Sequence, residues 1–193
     1  MLEVEQFPAI KTERLLLTLP PPEAASGLLA YAINNREHLA PWSPPRSEDF
    51  YTEPYWRKRL QIARDEFARG ESVRLVLFPR ASPLEEVVGE CNFTSIARGP
   101  FQACYLGYNL DHGSQGKGLM HEALCAAINY VFSDLKLHRI MANYMPANER
   151  SARLLRRLGF TVEGYARDYL FIAGQWRDHI LTSLTNHKAS ENE

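Results

Sequence analysis

Cysteine is scarce in this 193-residue chain: there are three, Cys91, Cys104 and Cys125, with no CxxC spacing among them and each within a largely apolar stretch. An odd, scattered set of thiols gives no disulfide framework, so a reducing, cytoplasmic setting is expected. Charge of one sign is missing as well. With 22 basic residues against 23 acidic ones the formal charge is −1, and no global field draws the chain to nucleic acid. No segment reaches the ~18 to 20 uncharged residues that span a bilayer, and Glu3 and Glu5 precede any apolar run, unlike a signal peptide. The chain is therefore expected to be neither inserted in a membrane nor exported. Internal repeats and low-complexity stretches are absent too. A length of 193 residues at 45% apolar content fills one α/β core rather than two, so one domain over residues 1–186 is expected, with 187–193 as a flexible polar tail.

What is present centres on Gln115-Gly116-Lys117-Gly118-Leu119-Met120. Before it, Cys104 to Leu110 is rich in the aromatic and aliphatic residues that strands favour, and Asp111-His112-Gly113-Ser114 breaks the run with turn formers. After it, apolar residues at 120, 124, 127, 128, 131 and 135 have the spacing of a helix burying one face. The glycines therefore sit where a strand becomes a helix. There the first backbone N–H groups lack intrahelical partners and the helix dipole presents partial positive charge, which suits a pyrophosphate. Two better-known glycine motifs fail here. A P-loop would need glycine where Asp111 stands and serine or threonine where Gly118 stands, and a dinucleotide fingerprint would need glycine at His121. A glycine-rich helix start with a purely structural role remains the bland alternative.

Around this centre, a strand is expected over 12–19 and a helix from Glu23 to about Asn34, after Pro20-Pro21-Pro22. A second helix is expected over 53–69. Strands follow at 72–78, 87–96 and 101–110 as an antiparallel meander, then at 140–144, 165–173 and 176–185, the last two meeting at Gly174. Asn148 opens a further helix that should end at a left-handed Gly159.

Gln115 and Gly118, in a pattern QxxGx with a small residue following, resemble the coenzyme A loop of the GCN5-related N-acetyltransferases (GNAT). Asn148-Glu149-Arg150-Ser151 through Leu158-Gly159-Phe160 is similar to the following helix of that superfamily. Ala103 to Tyr108, Met141-Ala142-Asn143-Tyr144-Met145-Pro146 and Gly174-Gln175-Trp176-Arg177-Asp178-His179 extend the likeness to the RimJ type of ribosomal-protein-alanine N-acetyltransferase. Lys11 to Leu15 and His38-Leu39-Ala40-Pro41-Trp42 carry it into the N-terminal half. The resemblance implies a mixed α/β (α+β) fold with a mostly antiparallel, twisted sheet flanked by helices and a splayed strand pair at the acetyl-CoA site. It implies cofactor contacts from Tyr108, Asn109 and Leu110, from Gln115, Gly116, Lys117, Gly118, Leu119 and Met120, and from Asn148, with the Leu110 N–H as oxyanion donor. It also implies a protein N-terminus as acceptor, that of a small-subunit ribosomal protein, and a monomer or homodimer.

The superfamily's usual acid, a tyrosine seven residues past the asparagine, is Leu155 here, and the position of a common glutamate base is Asn143. By resemblance Ser151 takes the role of proton donor to the leaving thiol; its bland role is a first-turn helix serine. An α-amine of pKa about 7.7 to 8.0 needs far less help than a lysine near 10.4. His121-Glu122-Ala123-Leu124-Cys125 approaches HExxH but ends in cysteine, so no metal is expected, and Glu122 is assigned structural hydrogen bonds. Tyr144, Tyr165, Tyr169 and Trp176 either line an acceptor groove or, as is commoner at such spacings, belong to the core. Two other functions stay open: acetylation of a small amine such as a polyamine or aminoglycoside, which calls for acidic residues in the acceptor cleft, and a non-catalytic acetyl-CoA-binding ribosome-assembly module.

Overall fold

Residue order alone explains why a sheet covered on both faces forms. In the strand Val73–Pro79 (β3) nearly every side chain is buried: Leu75 and Leu77 join one apolar cluster, and Val76 and Phe78 the other. A strand apolar on both sides must be covered on both sides. The computed structural model describes residues 7–186; the expectations placed on Glu3, Glu5 and the 187–193 tail lie outside the described residues.

The other strands are β1 (Ala9–Lys11), β2 (Leu15–Thr18), β4 (Gly89–Ala97), β5 (Ala103–Leu110), β6 (Arg139–Met141), β7 (Thr161–Ile172) and β8 (Gln175–Thr185). The helices are α1 (Ala25–Asn34), α2 (Arg36–Leu39), α3 (Glu53–Ala68), α4 (Leu119–Ser133) and α5 (Glu149–Arg157). One eight-stranded sheet runs in the order β1-β2-β3-β4-β5-β6-β8-β7, and β5 with β6 is its parallel pair. The expected mixed α/β fold, largely antiparallel with flanking helices, is what forms. Helix α4 buries Met120, Ala123, Leu124, Ala127, Ile128 and Val131 in the larger cluster, with Leu75, Leu77 and Phe93. Helices α1 and α3 cover the opposite face through Leu28, Tyr31, Trp56 and Leu60.

Four boundaries differ from expectation. The strand expected over 12–19 is shortened to β2, with the separate β1 lying before it, because the Thr12 hydroxyl accepts the Leu15 N–H at 2.9 Å and the Thr12 N–H donates to the Leu15 carbonyl at 2.9 Å, closing a turn. Helix α1 is preceded by one turn of 3₁₀ helix at Pro22–Ala24. Strand β6 is three residues long, and Tyr144 joins the sheet through a lone bridge to Ile180. Strand β7 begins at Thr161, with a register shift between Val162 and Gly164 that breaks the alternation a strand is recognised by. Gly159 adopts φ +87° just past α5, as expected of a left-handed cap.

Strands β5 and β6 pair at Ala103 with Arg139, Cys104 with Ile140 and Tyr105 with Met141, and β5 then runs on to Leu110 alone on that side. This is the expected splay. On the other edge of β5 the Asp111 N–H donates to the Val88 carbonyl at 2.8 Å, which fixes the phase of the β4–β5 ladder. Main-chain groups of an antiparallel strand alternate in direction, so those of Tyr108 and Leu110 face the gap left by β6.

Candidate active site

At the end of β5 the chain passes through a single 3₁₀ turn, His112–Ser114, and enters the glycine loop. Gly116 and Gly118 have φ of +75° and +78°, a region that costs L side chains roughly 1 kcal/mol or more. Gly118 is the N-cap of α4, and no side chain caps that helix. The first N–H groups of a 15-residue helix are thus left to an outside acceptor, and no Cβ intrudes at either glycine. Such an arrangement of free main-chain amides is one that a diphosphate can occupy. Met120 is buried in the core and Leu119 packs against it, so these two residues offer the loop their amides rather than their side chains. Lys117 is exposed.

Three ties hold the loop in place. The His112 N–H donates to the buried Asn35 side chain at 2.9 Å, fixing the loop's start to the end of α1. Arg14 Nη1 donates to the Lys117 carbonyl at 2.9 Å. Arg150, from α5, donates to Gln115 Oε1, which orients the amide so that its Nε2 points at His38 Nε2, 2.8 Å away. That contact requires His38 Nε2 to accept, hence a neutral ring. Burial lowers the proton affinity of His38, and His112 and Arg150 lower it further, against the opposing hydrogen bond to the Leu110 main chain. Gln115, expected as a cofactor ligand, is therefore engaged by protein on both sides.

Glu122 holds the adjoining β1–β2 turn. Its Oε1 accepts from the Thr12 hydroxyl at 2.6 Å and the Arg14 N–H at 2.8 Å, and its Oε2 accepts from Arg14 Nε at 2.7 Å. The structural role assigned to Glu122 is the one it has, and among the described residues no group of three or more His, Cys, Asp or Glu converges as a metal site.

Asn148 caps α5, its Oδ1 accepting the Ser151 N–H at 3.1 Å. Ser151 Oγ lies 2.6 Å from the Tyr108 hydroxyl, so the strand beside the gap and the first turn of α5 meet in a hydroxyl pair. Burial pushes the Tyr108 phenol up to about 12, although its bond to Ser151 favours ionisation. Leu155, at the usual acid position, is 1% exposed in the core. Asn143 is engaged structurally: its Nδ2 donates to the Tyr169 hydroxyl at 3.1 Å and its Oδ1 accepts the Thr182 N–H at 3.4 Å.

Asn109, on the opposite side of β5 from Tyr108, faces a cavity of about 740 Å³ on the α1 side of the sheet. The tip of the β7–β8 hairpin closes over it, with the Ala173 N–H donating to the Ser43 carbonyl at 3.1 Å. Glu90 is the single acid among its lining residues, against Arg36, Arg46 and Arg177. The aromatic expectations divide. Tyr144 packs against the core and Tyr169 stacks near His179. Tyr165 and Trp176 are 57% and 61% exposed, so neither is core, and neither lines the cavity. Sequence reasoning passed over Arg14, Glu90 and Arg150 as contributors; Arg14 and Arg150 carried a local signal, the first in the Lys11 to Leu15 segment and the second in the Asn148 motif beside Ser151.

A family model described as the acetyltransferase (GNAT) domain matches residues 14–161. The ribosomal protein uS5-alanine N-acetyltransferase of Escherichia coli K12 is 47% identical over 176 residues, covering 91% of this chain and 90% of that protein. A crystal structure of ribosomal-protein-S5-alanine acetyltransferase from Vibrio fischeri superposes with a TM-score of 0.89 at 38% identity, over 93% of this chain and 97% of that one. Mycobacterium smegmatis RimJ, solved with a CoA-disulfide, shares the fold with a TM-score of 0.85 at 24% identity, over 94% of this chain and 88% of that one.

Proposed function

This chain belongs to the GNAT acetyltransferase family and is an acetyl-CoA-dependent N-acetyltransferase, and we propose that its acceptor is the N-terminal α-amine of a protein, the alanine of ribosomal protein uS5. The observation that carries the acceptor class is the cavity beside Asn109, where a single carboxylate stands among three arginines. A polyamine or aminoglycoside brings several cations and calls for several acids. A peptide N-terminus brings one cation, followed by carbonyl oxygens that arginines can meet. The 47% identity to the E. coli enzyme supports uS5 within that class.

Acetyl-CoA supplies the acetyl group as an activated thioester. The amides at residues 116–120 hold its diphosphate, and the Tyr108 main-chain groups and the Leu110 N–H facing the gap receive the acyl-pantetheine arm, as does Asn148 alongside its capping role. An N–H there, that of Leu110, faces the carbonyl oxygen that gains charge as the amine attacks, and fixed main-chain donors are well suited to that task. Holding the amine against the thioester is the largest contribution: effective molarities of order 10⁵ to 10⁸ M lower the barrier by ~7 to 11 kcal/mol. Attack is direct, with no acyl-enzyme. Ser151 hydrogen-bonds the departing thiol, whose pKa of about 8.5 asks little of an acid, and Tyr108 orients that hydroxyl. Residues 7–186 act as one catalytic domain.

Incubating the protein with acetyl-CoA and a peptide bearing the uS5 N-terminus, in parallel with spermidine, tests the reading. Acetylation of the peptide α-amine by mass spectrometry is expected. Turnover with spermidine alone would remove this acceptor, and tight acetyl-CoA binding without transfer to any amine would make the protein a binding module.

A further inference from the structure

Glu90 is a carboxylate in want of a cation. It lies half-buried in the cavity wall on β4, directly across the ladder from Asn109, and its Oε2 accepts from Asn109 Nδ2 at 3.2 Å. Asn109 is itself fixed, because the Tyr31 hydroxyl donates to its Oδ1 at 2.5 Å, so the amide can turn only its NH₂ toward Glu90. The neighbouring arginines are engaged elsewhere. Arg59 and Arg74 both pair with Glu66, at 3.6 and 2.8 Å, and Arg46 stacks over Phe50 at 4.5 Å. Among the described residues Glu90 makes no ion pair. Burial raises its proton affinity, while Asn109 and the more distant Arg46, Arg59 and Arg74 oppose that rise.

A half-buried acid without a counter-ion is costly in an apo protein, and the cost is relieved when a cation arrives. Here the open side is the 740 Å³ cavity, and the carboxylate sits one strand from the β5 end where the thioester would lie. We propose that Glu90, held in register by Tyr31 and Asn109, is the specificity residue that binds the acceptor's α-ammonium group and sets it beside the thioester, where the group attacks as the neutral amine once it has released its proton to solvent through the open side of the cavity. The proposal rests on the acceptor class proposed above. Its geometry selects a chain end bearing one positive charge: the carboxylate takes the ammonium, and Arg36 and Arg177 at the cavity wall meet peptide oxygens further along.

The test uses the full-length protein saturated with CoA and an alanine-starting peptide in two forms, one with a free α-amine and one whose α-amine is replaced by hydrogen. Calorimetry on the wild type should show the free amine binding about 10- to 100-fold more tightly, the range for a hydrogen bond to a charged group. In Glu90→Gln that preference should vanish and the KM for the peptide should rise by a similar factor, with acetyl-CoA affinity unchanged and Glu90→Asp recovering part of the loss. Equal binding of both peptides by the wild type overturns the proposal even if Glu90→Gln does not fold, as does an unchanged KM in a folded variant. A wild type that prefers the free amine yet acetylates no peptide supports the Glu90 anchor while defeating the acetylation reading, so the two failures are separable.

Discussion

Replacing Glu122 should unfasten the β1–β2 turn from the helix that carries the glycine loop, and the loss can be estimated bond by bond. One carboxylate oxygen accepts from the Thr12 hydroxyl and the Arg14 N–H, and the other accepts from Arg14 Nε and pairs with Nη2 at 2.6 Å. Glutamine keeps an oxygen for the first pair but turns an NH₂ toward the guanidinium. A hydrogen bond to a charged group is worth ~1.5 to 3 kcal/mol; because the Arg14 side chain is 45% exposed, solvent screening reduces the forked pair to about 1 to 2 kcal/mol in total. Alanine also strands the Thr12 hydroxyl and the Arg14 amide, so about 2 to 4 kcal/mol is expected. At ~2 to 4 °C per kcal/mol for a chain of this length, Glu122→Gln should melt about 2 to 8 °C lower and Glu122→Ala lower still. Burial alone would raise the Glu122 pKa, but the bonds from Thr12 and Arg14 outweigh it and hold the carboxyl below its ordinary 4.5. A depressed folded value means that the stabilisation is complete above pH 4.5 and is lost as pH falls through the folded value. Thermal melts of wild type and Glu122→Gln should therefore differ at pH 7 and converge in acid. Coincident melts at pH 7, or a gap that persists once the carboxyl is protonated, would refute the reasoning.

The remaining predictions concern the chemistry. Ser151→Ala should lower turnover roughly 10- to 100-fold, at or below the low end for acid catalysis, while acetyl-CoA affinity measured by calorimetry stays the same; an undiminished rate clears Ser151 of its role. Tyr108→Phe removes the phenol 2.6 Å from Ser151 and should lower turnover less than Ser151→Ala, with the double variant no slower than Ser151→Ala; strictly multiplicative losses would show that the two hydroxyls act separately. Gly118→Glu should abolish acetyl-CoA binding, because it strains a residue at φ +78° and sets a carboxylate against phosphate; retained binding would place the diphosphate elsewhere. Leu155→Tyr should not restore a stronger acid. With Leu155 1% exposed, the larger side chain overpacks the core by about 1 to 3 kcal/mol, and a rise in turnover would contradict that placement.

Where a functional feature was local in sequence, it was legible. A strand, turn formers, two glycines and an apolar stripe of helical period sufficed to locate the left-handed glycines and the uncapped start of α4, because both are written in consecutive residues. The Asn148 cap and the Gly159 terminator were legible for the same reason. What escaped was made by contact across the fold. The structural role of Glu122 was legible but its partners were not, since Thr12 and Arg14 close on it from over a hundred positions away, and no periodicity announces that Glu90 and Asn109 face one another across a ladder. The aromatic expectation failed differently: Tyr165 lies on β7, an edge strand with most of its residues exposed, and Trp176 stands at the start of β8 beside the hairpin tip, paired with Phe171, so both lack the second layer that would make them core. This division bears on the mechanism. The parts proposed to grip the coenzyme are local and act through the main chain, resting on two left-handed glycines, whereas Tyr31, Glu90 and Asn109, proposed to face the acceptor, come from three elements and depend on side-chain identity. Substitutions in the second set should change which amine is accepted while leaving the coenzyme bound.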